Sequence, residues 1–351
     1  MTFPTSPSAG DTYSTALGEV WEFTGNGWRK PTVNLKMIES DKTFLIGSDF
    51  PDINAAVAAL GNYFIKPNVV LTLQLPTGLS TLTVPIGGYS GPGTVKIKGA
   101  TMAGAFPTPS DFTVSGTNGT ARNSDRTTNH SLCMARFGSQ LYAPGMGAIV
   151  NGIGGNIDYL EDLYIYGDNT NGTGLMQKEN RASVLTRVVI GKFDRNIGVD
   201  SGGRISGNDV VVFGANDIGV NLFFGSLNIA GFGSLGNLNH GVQSANNGFC
   251  GVSGSVVAGN GGNGLTVVDN GYAEVTSAVF RKSGVANGGY GIRASGRSTV
   301  KATGITANGN GGGADFSAVE GSYINATSYV NASTFDPTAN TVGNANSYIK
   351  A

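Results

Sequence analysis

The chain has 351 residues, 56 of them glycine, with 40% apolar residues, only 13% charged residues and a formal net charge of −1. An ordinary apolar share excludes a disordered chain, and glycines without a three-residue period exclude collagen. Lys and Arg are scattered without excess, so no surface would neutralise a run of phosphates and no nucleic-acid partner is expected.

Residues 1–31 read as a small N-terminal module. Glu19-Val-Trp-Glu-Phe23, a Thr-Gly-Asn-Gly turn and Trp28-Arg-Lys30 form a hairpin pattern. Trp21 and Trp28 are the chain's only tryptophans; they suit either the core of so small a unit or a sugar-binding surface. The N-terminus has no basic region followed by an apolar one, and no run of 18 apolar residues occurs, so neither a signal peptide nor membrane insertion is expected. Residues 32–68 read as a linker and a capping helix. Ile53, Ala56, Val57 and Leu60 share one helical face between Pro51 and Gly61, and such a helix could cover the open end of a first coil. Strand patterns follow at Val69–Leu75, Ser80–Val84 and Thr94–Lys98. Residues 101–146 fit no repeat and are expected to be an irregular insertion. The two cysteines, Cys133 and Cys250, are far apart and read as small buried apolar residues rather than a disulfide.

From residue 147 a repeat governs the pattern. A marker recurs at Gly147, Gly174, Gly198, Gly219, Gly241, Gly264, Gly291 and Ala314, at intervals of 21 to 27 residues. A second strand follows in each unit: Leu163–Gly167, Arg187–Gly191, Val210–Gly214, Ile229–Gly233 and Ser255–Gly259. Asn/Gly turns such as Asn260-Gly-Gly-Asn-Gly264 and Asn287-Gly-Gly289 separate the strands, as residues that tolerate left-handed backbone angles. Units this short hold about three strands and no crossover helix, so successive units must pair directly in parallel. The fold expected is all-β: a right-handed parallel β-helix over 69–331, followed by a C-terminal tail at 332–351. One stacked column is expected to be Tyr166, Ile190, Phe213, Phe232, Ala258 and Phe280. Val189, Val212 and Val257 are expected to form an exposed apolar stripe that three copies of the chain could bury, or that residues 101–146 could cover.

The chemistry the residues offer is limited. Glycoside hydrolysis needs two carboxyl groups, and Asp162 and Asp209 precede second strands two coils apart. Their separation, roughly 10 Å at about 4.8 Å per coil, slightly exceeds the inverting window of about 6.5–9.5 Å. Asp158 and Glu161 lie beside them in sequence. All four also suit solvated turns, as do Asp194, Asp200 and Asp217. A calcium-dependent lyase would add a carboxylate trio to a basic residue, for which Arg181, Arg187, Arg195 and Arg204 are available, and no such trio is in register. His130 and His240 lack metal-ligand spacing and read as loop or turn residues, so no metal and no cofactor is expected. Gly259-Asn-Gly-Gly-Asn-Gly264 matches a dinucleotide fingerprint only formally, because no helix follows it. Tyr159 and Tyr164 could stack on sugar rings, whereas Tyr166 belongs to the core.

Two segments carry a resemblance. Pro4-Thr-Ser-Pro-Ser-Ala-Gly-Asp-Thr-Tyr13 with Gly18-Glu-Val-Trp-Glu-Phe-Thr-Gly-Asn-Gly-Trp28 resembles short modules of bacteriophage tail-fibre and tail-appendage proteins. Asp52–Leu60 with Val70–Leu75 and Gly93–Gly99 is similar to the opening of pectate-lyase-like β-helices in phage tail spikes, as are the glycine-rich units from 240 to 313 and Asn340–Tyr348. The resemblance implies a homotrimeric appendage of the virion, docked to other tail proteins through residues 1–31. It implies that the β-helix contacts a host cell-surface polysaccharide. No catalytic motif accompanies it, so binding is favoured over cleavage, with a polysaccharide depolymerase or a non-viral carbohydrate-binding protein as alternatives.

Overall fold

The computed structural model describes residues 5–9, 11–14, 20–29, 36–89, 91–152, 155–170, 172–282, 285–307, 309–312, 314–327, 335–336 and 346–351. Short strands with alternate apolar residues stack in parallel, each coil on the last, and the chain forms a parallel β-helix. Among the described residues, one sheet runs through twelve strands from Lys42–Leu45 to Tyr348–Lys350, and a second runs through ten from Ile86–Gly87 to Phe335–Asp336. A continuous apolar column from Ile38 to Ile349 fills the coil. The stack therefore extends past 69 and 331 at both ends: Lys42–Leu45 pairs with Val70–Gln74, and Tyr348–Lys350 with Tyr323–Thr327. Three or four paired residues are too short to register as a repeat in sequence. Helix α1 (Ile53–Ala59), capped by Asp52, buries Ile53 and Ala56 against the first coils. Asn54 ties it down, donating to the Thr81 carbonyl and accepting from the Thr83 amide. Near the N-terminus, Thr12–Ser14, Val20–Phe23 and Trp28–Arg29 form a separate antiparallel sheet.

The pairing corrects the expected register in several places. Gly174, Gly219, Gly241, Gly264 and Gly291 do align, preceding Leu175, Val220, Val242, Leu265 and Ile292 of an inward column that also holds Ile197 and Phe316. Gly198 instead aligns with Met176, and Asp315 rather than Ala314 takes the last place. The mixed column Tyr166, Ile190, Phe213, Phe232, Ala258, Phe280 divides among three. Tyr166 joins Gly191, Phe213, Leu235 and Ala258; Ile190 joins Ile165, Val212, Ser234 and Val257; Phe232 joins Val188 and Val210. A slip of one residue exchanges inside for outside, and glycine markers alone do not fix it.

The Asn/Gly turns also have a different cause. Asn237, Asn260, Asn287 and Asn310 are buried and do not adopt positive φ. Each side-chain amide donates to the next: Asn237 to Asn260 at 2.8 Å, Asn260 to Asn287 at 2.9 Å and Asn287 to Asn310 at 3.2 Å. The asparagines are kept for this internal ladder, which satisfies buried backbone groups coil after coil.

Residues 101–146 are an ordered insertion rather than an irregular one. Helix α2 (Gly119–Arg136) starts at Asn118, whose side chain accepts from the Ala121 amide. Its inner face is polar: the Asp125 carboxylate accepts from the Ser115 amide and hydroxyl, and the Asn129 amide pairs with the Thr113 backbone at 2.6 and 2.9 Å. An amphipathicity carried by Asp and Asn leaves no apolar period to read. The insertion buries Phe112, Val114, Cys133 and Phe137 against Tyr164, Tyr166, Val189, Val211, Phe213, Leu235 and Ala258 on the outside of the coil. An outer apolar stripe exists, but the same chain covers it. Val212 and Val257, expected on that stripe, point into the coil.

Candidate functional site

In the long sheet Ala182–Gly191, Arg204–Phe213 and Ser226–Leu235 each run for ten residues and bend midway. The bend is a left-handed residue: Arg187 (φ 53°), Asp209 (φ 56°) and Gly231 (φ 65°), preceded one coil earlier by Asp162 (φ 56°). The flanking pairs place these four in one column, which continues through Gly254, Ser277 and Gly304. Glycine adopts this conformation without strain, whereas a residue with a Cβ carries a cost of about 1–2 kcal/mol, less for Asp. Three successive coils thus place charged side chains where later coils use glycine or, at Ser277, a small uncharged residue.

The charges meet in one cluster. Arg187 grips Asp162 with both arms, Nε to Oδ1 at 2.6 Å and Nη2 to Oδ2 at 3.0 Å. Its Nη2 also reaches Glu161 Oε1 at 3.1 Å. Strand Thr94–Lys98 presents alternate residues outward, so Lys96 and Lys98 both contact Glu161, the latter at 3.2 Å. Partial burial would raise the Glu161 carboxyl, but hydrogen bonds from Lys96 and Lys98 outweigh it and hold the group below its usual range. The Arg187 guanidinium is raised, chiefly by its hydrogen bond to Asp162. Beside the cluster lies a groove of about 670 Å³, lined by Gln74, Lys98, Thr101, Met102, Asp162 and Arg187.

The candidate residues fare differently. Glu161 and Asp162 belong to this cluster. Asp209 shares the bend column but accepts a hydrogen bond from Asn208 at 2.7 Å and touches neither. Asp158 is structural: it accepts from the Val95 amide and the Asn156 side chain, both at 2.7 Å. Tyr159 is 40% exposed, on the outer face in register with Lys96. Tyr164 corrects the expectation of a sugar-stacking residue: it is fully buried under the insertion, with its hydroxyl on His130 Nδ1 at 2.7 Å. His130 is accordingly a helical residue and not a loop residue. Trp28 packs on Tyr13 and Phe23, with ring centroids 6.1 and 5.4 Å away. The side chain of Trp21 lies outside the described residues. Sequence reasoning passed over Lys96, Lys98 and the part played by Arg187; the alternation of Lys96 and Lys98 on a strand was the available signal.

The cluster has a definite chemical range. A general acid must keep a proton at working pH, and Glu161 is held ionised while Asp162 faces a bidentate cation. The ionised Glu161 carboxylate and the guanidinium arms of Arg187 along a groove suit the orientation of hydroxyls and other polar groups.

No protein-family model matches the sequence, and no curated protein matches it. Among solved structures, the enzymatically active domain of tailspike protein 2 from bacteriophage CBA120 is 14% identical, with a TM-score of 0.51 over 99% of this chain and 49% of that one. The full-length tailspike protein 2 from an Escherichia coli O157:H7 bacteriophage is 13% identical, with a TM-score of 0.50 over 98% of this chain and 44% of that one. This chain spans about half the length of those tailspike chains or less. The similarity expected from the sequence is therefore present in the fold: this chain is a parallel β-helix like those of phage tailspike proteins.

Proposed function

We propose that this chain is a subunit of a phage or prophage tail spike whose β-helix binds a host cell-surface polysaccharide in the groove beside Arg187. The observation that carries the reading is the bend column. Strained backbone is retained where it serves a site, and Asp162, Arg187 and Asp209 occupy positions that Gly231, Gly254, Ser277 and Gly304 fill in later coils. The likeness to tailspike folds supports the setting, and a Glu161 held ionised, which cannot serve as a general acid, favours binding over cleavage. Homotrimeric assembly and docking to other tail proteins through residues 1–31 belong to the same proposal. Light scattering of the full chain tests the first, and a monomer would remove it.

The direct test is binding of purified host capsule or lipopolysaccharide by the full chain and by Arg187→Gln. Removing a charged hydrogen-bonding group should weaken binding by about tenfold or more. Unchanged binding in a folded Arg187→Gln protein would overturn the assignment of the groove. A reducing-end assay runs alongside it; glycan shortening that Asp162→Asn abolishes would establish the depolymerase alternative instead.

A further inference from the structure

A second cleft, of about 340 Å³, lies between α2 and the coil, lined by Asn123, Arg126, Thr127, His130, Asn169 and Lys192. Arg122, Arg126 and His130 fall at four-residue spacing on α2 and so share one face. Arg126 donates through Nη2 to the Ala215 carbonyl at 3.0 Å, but its Nε is buried with no partner. Across the cleft the buried Asn169 Oδ1 also has none. Asn169 is held in place by its turn: φ is 66° and its carbonyl accepts from the Asn216 side chain. Lys192 lies 5.7 Å from the centroid of the Tyr166 ring. Among the described residues, no carboxylate is within ion-pair distance of Arg126 or Lys192. The neighbouring Asp168 is engaged by the Gly145 amide at 2.9 Å and by Thr170.

We infer that this cleft binds a carboxylate-bearing sugar unit, the carboxylate on Arg126 and Lys192 and the hydroxyls on Asn123, Thr127 and Asn169. Two partly buried cations with no carboxylate in ion-pair contact form an incomplete site, and an oxyanion completes it. The volume sits at the small end of ligand pockets, about 300–1,000 Å³, and suits one sugar ring. Burial lowers Lys192 and Arg126, and their cationic neighbours, Arg126 and Arg122 respectively, lower them further, with Asp168 partly offsetting the fall at Lys192. That the oxyanion is carried on a sugar rests on the polysaccharide reading above; the oxyanion site itself does not.

The test titrates the full chain with glucuronate, galacturonate, glucose and inorganic phosphate, by calorimetry or ligand-observed NMR. Uronate binding without glucose binding is expected, and it should persist in Arg187→Gln, which separates this cleft from the groove. Lys192→Gln should weaken it by about tenfold or more. Asn169→Asp should abolish it while leaving the melting temperature unchanged or raised, because the new carboxylate supplies the missing counter-ion from within. Phosphate binding with no response to uronate would overturn the sugar assignment. Uronate binding retained in both Lys192→Gln and Asn169→Asp, or no binding by the wild type, would overturn the site.

Discussion

Asn287→Ala tests whether the asparagine ladder, rather than turn conformation, holds successive coils together. Asn287 is 2% exposed; its side-chain amide donates to the Val257 carbonyl at 3.0 Å, the Phe280 carbonyl at 3.1 Å and Asn310 at 3.2 Å. Its Oδ1 accepts from the Asn260 side chain at 2.9 Å and the Asn260 backbone amide at 3.3 Å. Truncation leaves two donors of Asn260 without this acceptor in a space closed to solvent. At about 1–3 kcal/mol for each orphaned buried group, the loss should be on the order of 3 kcal/mol. Urea denaturation followed by circular dichroism reads it as a lowered midpoint. Thr276→Ala, on the exposed outer face, is the control and should stay within about 0.5 kcal/mol. Adjacent rungs share bonds, so Asn260→Ala with Asn287→Ala should cost less than the sum of the two, by about 0.5–3 kcal/mol. A loss below about 0.5 kcal/mol for Asn287→Ala, or strict additivity, would refute the reasoning and return these asparagines to a turn-forming role.

Four other outcomes are expected. Burial, helped by Lys192, lowers the His130 ring from an ordinary 6.5 to about 4, so folding favours the neutral ring; its contribution is present above 6.5 and is lost as the pH falls towards 4. His130→Gln should flatten the stability curve in that window, and equal slopes in the two proteins would count against the assignment. Glu161 is held below its ordinary 4.5, so its contribution is present above 4.5 and lost as the pH falls through the lowered value. The stability gap between wild type and Glu161→Gln should therefore be present at neutral pH and close in acid, and a gap that persists there would need another cause. Phe112→Ala removes an insertion residue that packs 5.5 Å from the Phe213 ring, and should cost about 3–5 kcal/mol and expose residues 101–137 to limited proteolysis. Val212→Asp places a charge inside the coil and should prevent folding; a folded protein with altered subunit number would contradict the interior placement.

The parallel β-helix was legible because its cause is local and repeated. Strands too short to leave room for crossover helices, separated by turn residues at 21 to 27 residue intervals, have few ways to bury their apolar side chains. Helix α1 was legible for a similar reason: its apolar residues fall on one face between clear start and stop signals. Register was another matter. Tyr166 and Ile190 sit in neighbouring columns that face opposite ways, and both are apolar enough for either. The difference lies in the insertion, whose Phe112, Val114, Cys133 and Phe137 give the outer face its own dry cover. That cover left little trace in sequence, since Asp125 and Asn129 dock the helix through hydrogen bonds and not through an apolar stripe. The sequence alone brought Asp162, Glu161 and Asp209 together as acidic candidates. Only the stacking of coils set Arg187 between the first and the last, brought Lys96 and Lys98 onto Glu161, and buried Tyr164 out of a ligand's reach. Periodicity records which residues recur along a chain, whereas charge pairing and cover depend on neighbours roughly 25 to 90 positions away, which no local pattern encodes.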